Sequence, residues 1–141
     1  MLEAGCGPGF FSPYIADTVG HGSLVLCDLQ RPMLQLARAR LVAHHNVVYT
    51  QGDLISLPFA TDRFDSVFLA TVLGEVPDPG ACVDEIHRVL NPLGTLVVAE
   101  TRRDSDFIAL RALRELVEAH HFGFVDRHGI RWQYTATFQA Q

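Results

Sequence analysis

Residues 3–9 read Glu-Ala-Gly-Cys-Gly-Pro-Gly and sit between two segments of different kind. Leu2–Ala4 leads in as the tail of a strand, and Phe10–Val19 leaves with helical spacing and ends at Gly20. Gly5, Gly7 and Gly9 let the main chain turn sharply and approach a ligand with no Cβ in the way. The helix N-terminus beyond them offers unpaired N–H groups. A chain that passes from strand to helix in this way is committed to a βα unit, and Pro13 is compatible with it because it falls in the first helical turn. The glycine spacing is G-x-G-x-G. Phe10 stands where the third glycine of a dinucleotide-binding loop would fall, which disfavours a pyrophosphate ligand and nicotinamide-dependent redox chemistry.

The rest of the chain repeats the alternation. Ser23–Asp28 is a short apolar strand closed by an acid, and Pro32 opens a helix with Met33, Ala37 and Leu41 on one face. Asn46–Thr50 and Ser66–Ala70 read as strands, Pro79–Leu90 as a helix stopped by Asn91-Pro92-Leu93-Gly94, and Thr95–Glu100 as a fifth strand. Short apolar strands without alternation suit a parallel sheet covered on both faces. Asp106–His121 then reads as a helix with Leu110, Leu113 and Val117 inward. Phe124–Arg127 and Ile130–Phe138 form an antiparallel hairpin at the edge of the sheet, turning at His128-Gly129, with Ile130, Trp132 and Tyr134 on one face. These aromatics read first as hairpin core and otherwise as the wall of an apolar pocket. The expected architecture is α/β, a Rossmann-like doubly wound, mostly parallel sheet with a C-terminal antiparallel hairpin, in a single domain over residues 1–141.

Charge narrows the partners. The chain carries 16 acids against 11 basic residues, all arginine, for a net charge of −5. A nucleic-acid partner is therefore not expected, since phosphate neutralisation needs a basic excess. Arg102-Arg103 is a solvated pair or a local anchor for an anion. No apolar run approaches a membrane span and no leader precedes the glycine loop, so a cytoplasmic protein is expected. Cys6, Cys27 and Cys82 have no CxxC spacing and read as small buried hydrophobes. The His44-His45 and His120-His121 pairs suit helix C-termini, His87 reads as exposed, and no metal site is expected.

Two further acids matter. Asp28 closes the second strand 23 residues after Gly5, where a carboxylate can accept from both ribose hydroxyls, and Asp53 closes the third, within reach of an adenine amine. Together with the glycine loop they describe an adenosine pocket at the point where strand order reverses.

The segments LEAGCGPG, VLCDLQRPML, QGDLISLPF, DRFDSVFLATVL and HRVLNPLGTLVVAE, in this order from Leu2 to Glu100, resemble the class I S-adenosylmethionine-dependent methyltransferases. CDLQRPML and GDLISLPFATDRFD are most similar to the subgroup of ubiquinone/menaquinone-biosynthesis and small-molecule methyltransferases. The resemblance implies S-adenosyl-L-methionine as cofactor. Glu3 and the loop Gly5, Cys6, Gly7 and Gly9 would hold its amino-acid end, Asp28 its ribose and Asp53 its adenine. Leu29, Met33 and Leu54 would pack around the base, and Ala70 and Thr71 would border the methyl group. It also implies transfer of that methyl to a small, apolar or lipid-like acceptor, the alternative being a non-catalytic cofactor-binding subunit. Two departures are visible. The family's usual lid segment ahead of the glycine motif is missing from this sequence, which leads us to expect a homodimer that covers the gap. Glu75 stands in a turn that often carries histidine, and is the candidate to orient or deprotonate an acceptor or else a solvated cap.

Overall fold

The structure is a computed structural model that describes residues 1–141. Seven strands and four helices follow one another as β1 (Leu2–Ala4), α1 (Ser12–Val19), β2 (Leu24–Asp28), α2 (Arg31–Arg40), β3 (Val47–Gln51), β4 (Phe64–Ala70), α3 (Pro79–Val89), β5 (Leu90–Thr101), α4 (Leu110–Glu118), β6 (Phe122–Ile130) and β7 (Gln133–Ala140). The strands form one sheet in the order β3-β2-β1-β4-β5-β7-β6. The first five run parallel, while β7 pairs antiparallel with both β5 and β6. This is the doubly wound, mostly parallel sheet the sequence predicts. No helix is long and apolar enough to cross a membrane.

Side chains of β2 show why both faces are covered. Leu24 and Leu26 join Ala16 of α1 and Leu34 and Ala37 of α2 in one apolar cluster. Val25 and Cys27 point the other way, into a larger cluster with Cys82, Val83 and Ile86 of α3 and Leu113 and Val117 of α4. All three cysteines are buried and free, and burial pushes the thiols of Cys27 and Cys82 up to about 12. They are inert packing groups.

The C-terminal third departs from the sequence reading in the hairpin turn, in which hairpin residues are exposed, and in the start of α4. The hairpin turns at Arg131-Trp132, because Ile130 pairs with Gln133. Gly129 stays in the ladder opposite Tyr134 with φ +96, where any Cβ would run into the Gln133 carbonyl oxygen. Its glycine therefore marks a close backbone approach within the ladder and not the turn itself. In consequence Tyr134 is buried while Ile130 and Trp132 are exposed. The hairpin does close one edge of the sheet as expected: β7, with Ala136 and Phe138 fully buried, pairs with β5, and β6 is the outer strand. Helix α4 is shorter than its periodicity suggests. Residues 106–108 are drawn out of it, since the Ile108 N–H donates to Glu100 and its carbonyl accepts from the Tyr134 hydroxyl at 2.6 Å. His87 is half-buried, its ring set edge-on to Phe122 at 5.3 Å, and so is not the exposed residue the sequence suggested.

Candidate active site

Strand β1 lies between β2 and β4, so the chain leaves it in both directions and a crevice opens beyond the strand ends, where open α/β sheets bind ligands. A cavity of about 520 Å³ fills it, a volume ordinary for a small-molecule site. The glycine loop is its floor. The N–H groups of Gly5 and Cys6 both donate to the Cys27 carbonyl, at 2.8 and 3.2 Å, which folds the loop back across β2. Gly5 has φ +70, and a Cβ there would stand 2.6 Å from the Val72 methyls. Gly7, at φ +52, faces open space. The Gly7 N–H donates to Asp28 Oδ2 and the Gln30 N–H to Asp28 Oδ1, each at 2.8 Å. Two main-chain donors thus aim one carboxylate, and each of its oxygens keeps a lone pair for a ligand.

Glu3 is the second acid of the cavity. It is buried, and burial raises its carboxyl to about 7, an effect that the nearby Ser12 hydroxyl partly opposes without closing a well-shaped hydrogen bond. Its Oε2 has no partner. Asp53, the third, is exposed and lies just beyond β3, where its Oδ1 accepts from the Ile55 N–H at 3.1 Å. The loop that follows is tied to α3. The Arg88 guanidinium donates to the Phe59 and Leu57 carbonyls and to both oxygens of Glu85, which in turn accepts from the Leu57 N–H. Leu54 is held buried against the site by that clamp.

The fourth acid is Glu75, exposed in the turn before α3. Partial burial, then the nearby Asp104, Asp106 and Asp28, raise its carboxyl above the usual range. Ala70 and Thr71 lie at the end of β4, and Thr71 takes φ +52, a left-handed conformation costly for a β-branched residue. Its N–H is anchored to the Ala99 carbonyl at 2.9 Å.

The structure therefore brings Glu3, Gly5, Cys6, Gly7, Asp28, Leu29, Met33, Asp53, Leu54, Ala70, Thr71 and Glu75 to one cavity. Gly9 is not among them. At φ +79 it seats the loop on α2, where a Cβ would meet Ala37 at 3.0 Å, so its work is packing. Four carboxylates face the cavity and no arginine or histidine lines it. Sequence reasoning missed the aromatic rim, Phe10 and Phe11, whose rings stack edge-to-face at 5.0 Å. It also missed Glu100. That residue is buried at the end of β5, its Oε1 has no partner, and burial lifts its carboxyl to about 7 against the Ile108 N–H. It borders a second cavity of about 510 Å³ that shares Phe11, Ala70 and Thr71 with the first. The available signal was an acid closing an otherwise apolar strand.

This fold and site define a class I methyltransferase domain. Residues 2–98 match the methyltransferase domain family, and the chain belongs to it. It is 34% identical over 101 residues to the demethylmenaquinone methyltransferase of Staphylococcus saprophyticus, covering 71% of this chain and 43% of that protein. It is 33% identical over 132 residues to the malonyl-[acyl-carrier protein] O-methyltransferase of Legionella pneumophila, covering 92% and 46%. The chain thus spans less than half the length of these relatives. A solved SAM-dependent methyltransferase from Aquifex aeolicus superposes with a TM-score of 0.91 at 18% identity, covering 99% of this chain and 81% of that one. The [4+2]-cyclase SpnF superposes with a TM-score of 0.86 at 17% identity, covering 99% and 73%, so the fold alone does not name a reaction.

Proposed function

We propose that the chain transfers the methyl group of S-adenosylmethionine to a small, apolar or lipid-like acceptor. One observation carries the reading: a glycine-turn cavity with four carboxylates and no cationic side chain. Such a lining suits a ligand that bears positive sulfonium and ammonium groups and no phosphate, and it repels a dinucleotide. Gly7 adds an open backbone cradle. In this reading Glu3 and the loop take the amino-acid end, Asp28 the ribose hydroxyls and Asp53 the adenine amine. Leu29, Met33 and Leu54 flank the base, and Ala70 and Thr71 border the methyl group.

The cofactor supplies an already activated methyl. What remains for the protein is to align the acceptor in line with the methyl–sulfur bond and to exclude water. Phe10, Phe11, Val72 and Val76 give the apolar wall for this. In the same reading Glu75, which lines the cavity, accepts a hydrogen bond or a proton from the acceptor. The demethylmenaquinone and malonyl-[acyl-carrier protein] in the names of the relatives support an apolar or acyl acceptor. We further propose that Phe10, Phe11, Tyr14 and Leu29, large apolar side chains exposed beside the site, are covered in a homodimer, and that the protein works in the cytoplasm.

The test is turnover of labelled S-adenosylmethionine against pooled quinol, phenol, amine and carboxylate acceptors, with calorimetric titration of its demethylated product alongside. Transfer to one class is expected, with the product binding more tightly than NAD. Asp28→Ala should weaken binding by about 1.5–3 kcal/mol, and Glu75→Gln should slow transfer with affinity little changed. Binding without turnover on any acceptor would leave a cofactor-binding subunit instead.

A further inference from the structure

A third cavity, of about 830 Å³, opens between the hairpin tip and the segment leading into α4. Arg102, Arg111, Arg127 and Arg131 line it and no acid does. Four of the chain's 11 arginines thus converge on one concavity of a protein whose net charge is −5. Arg111 shares its charge with Glu115 at 2.9 Å, and Arg127 donates to the Gly129 carbonyl at 2.9 Å. Arg102 and Arg131 have no ion-pair partner. Like charges gathered this way repel until an anion joins them, and guanidinium forks match the oxygens of phosphate and carboxylate. The floor between them is apolar, with Phe107, Trp132 and Leu110. Cationic rim and apolar floor together fit an amphipathic anion.

The cleft lies on the α4 side of the hairpin, where Tyr134 packs beside Phe107, while the cavity bordered by Glu100 is lined from the other face by Ala99, Thr101, His128 and Thr135. The arginine cleft is thus a site separate from the acid-lined cavity. We propose that it binds an amphipathic anion, its phosphate or carboxylate head at the arginines and its apolar body on Phe107, Leu110 and Trp132, independently of the methyltransferase reading.

Trp132 is the only tryptophan and lies in the cleft, so its emission reports occupancy directly. The probes are hexyl phosphate, hexanoate, neutral hexanol, and vesicles of phosphatidylglycerol in phosphatidylcholine. A saturable response to hexyl phosphate or hexanoate is expected, at least about tenfold tighter than to hexanol and weakened by salt. The stronger of the two anions identifies the head group. Arg102→Gln with Arg131→Gln should weaken the response about tenfold or more, the effect of lost charged hydrogen bonds, while far-ultraviolet circular dichroism stays unchanged. Equal affinity for hexanol, an unchanged affinity in the double variant, or a response to vesicles alone would overturn the proposal, the last in favour of a membrane surface. Titration of S-adenosylhomocysteine separates the two readings. Its binding without an anion response removes the arginine site only, and an anion response without its binding removes the methyltransferase reading only.

Discussion

Glu3 and Glu100 are carboxyls that the fold holds out of water, each raised by burial from 4.5 to about 7. An acid that keeps its proton more tightly in the folded chain than in the unfolded one favours folding at low pH. That advantage is complete below 4.5, declines as pH rises through the window up to about 7, and is gone above it. The difference is up to about 3 kcal/mol per group. Glu3→Gln with Glu100→Gln should therefore raise the urea midpoint at pH 8 and leave it nearly unchanged at pH 4.5. A lower midpoint at pH 8 would mean that the ionised carboxylates are stabilised by contacts not recognised in the free protein. If the proposed cofactor sets its amino-acid end against Glu3, that cation would relieve the strain. Asp28 shows the opposite arrangement, its carboxylate already aimed by the Gly7 and Gln30 amides. Its place could be read from the sequence because it depends only on where β2 stops. Glu100 could not, because nothing local says that Tyr134 and Ile108 will close over it.

Among the elements, the hairpin carries the most information that periodicity does not. Glycine at 129 invited a turn, yet pairing across β6 and β7 continues to Ile130 and Gln133. The shift of three residues decides which hairpin side chains are core. Phe138 is fully buried, its ring edge-on to Phe124 at 5.6 Å, while Ile130 is 55% exposed. Phe138→Ala should cost about 3–5 kcal/mol of stability by chemical denaturation, and Ile130→Ala about 0.5 kcal/mol or less. Comparable losses would put the turn back at His128-Gly129. The parallel strands posed less difficulty, although β5 begins at Leu90 and takes in the Asn91-Pro92-Leu93-Gly94 segment that read as a stop. Their boundaries are punctuated by Asp28, Gly52 and Gly74, and the glycine loop, Pro32 and Pro79 announce the helices between them.

Taken whole, the molecule is polarised. An acid-lined cavity lies at the β1 switch point, and an arginine cleft lies at the hairpin tip on the α4 side. The exposed Phe10, Phe11, Tyr14 and Leu29 flank the acidic end. If a second copy covers them, light scattering during size-exclusion chromatography will give twice the 15.6 kDa chain mass, persisting on dilution. A stable monomer would sink the homodimer. The sequence by itself determined the α/β class, the glycine turn and the acids at the ends of β2 and β3, because each follows from local rules: residue period, positive φ, and where a strand must stop. It could not determine that Gly9 packs on Ala37, that Glu100 loses its water, or that four arginines meet. Those depend on β7 inserting between β5 and β6 and on α2 pressing against the loop. Burial and charge convergence arise only when distant segments become neighbours.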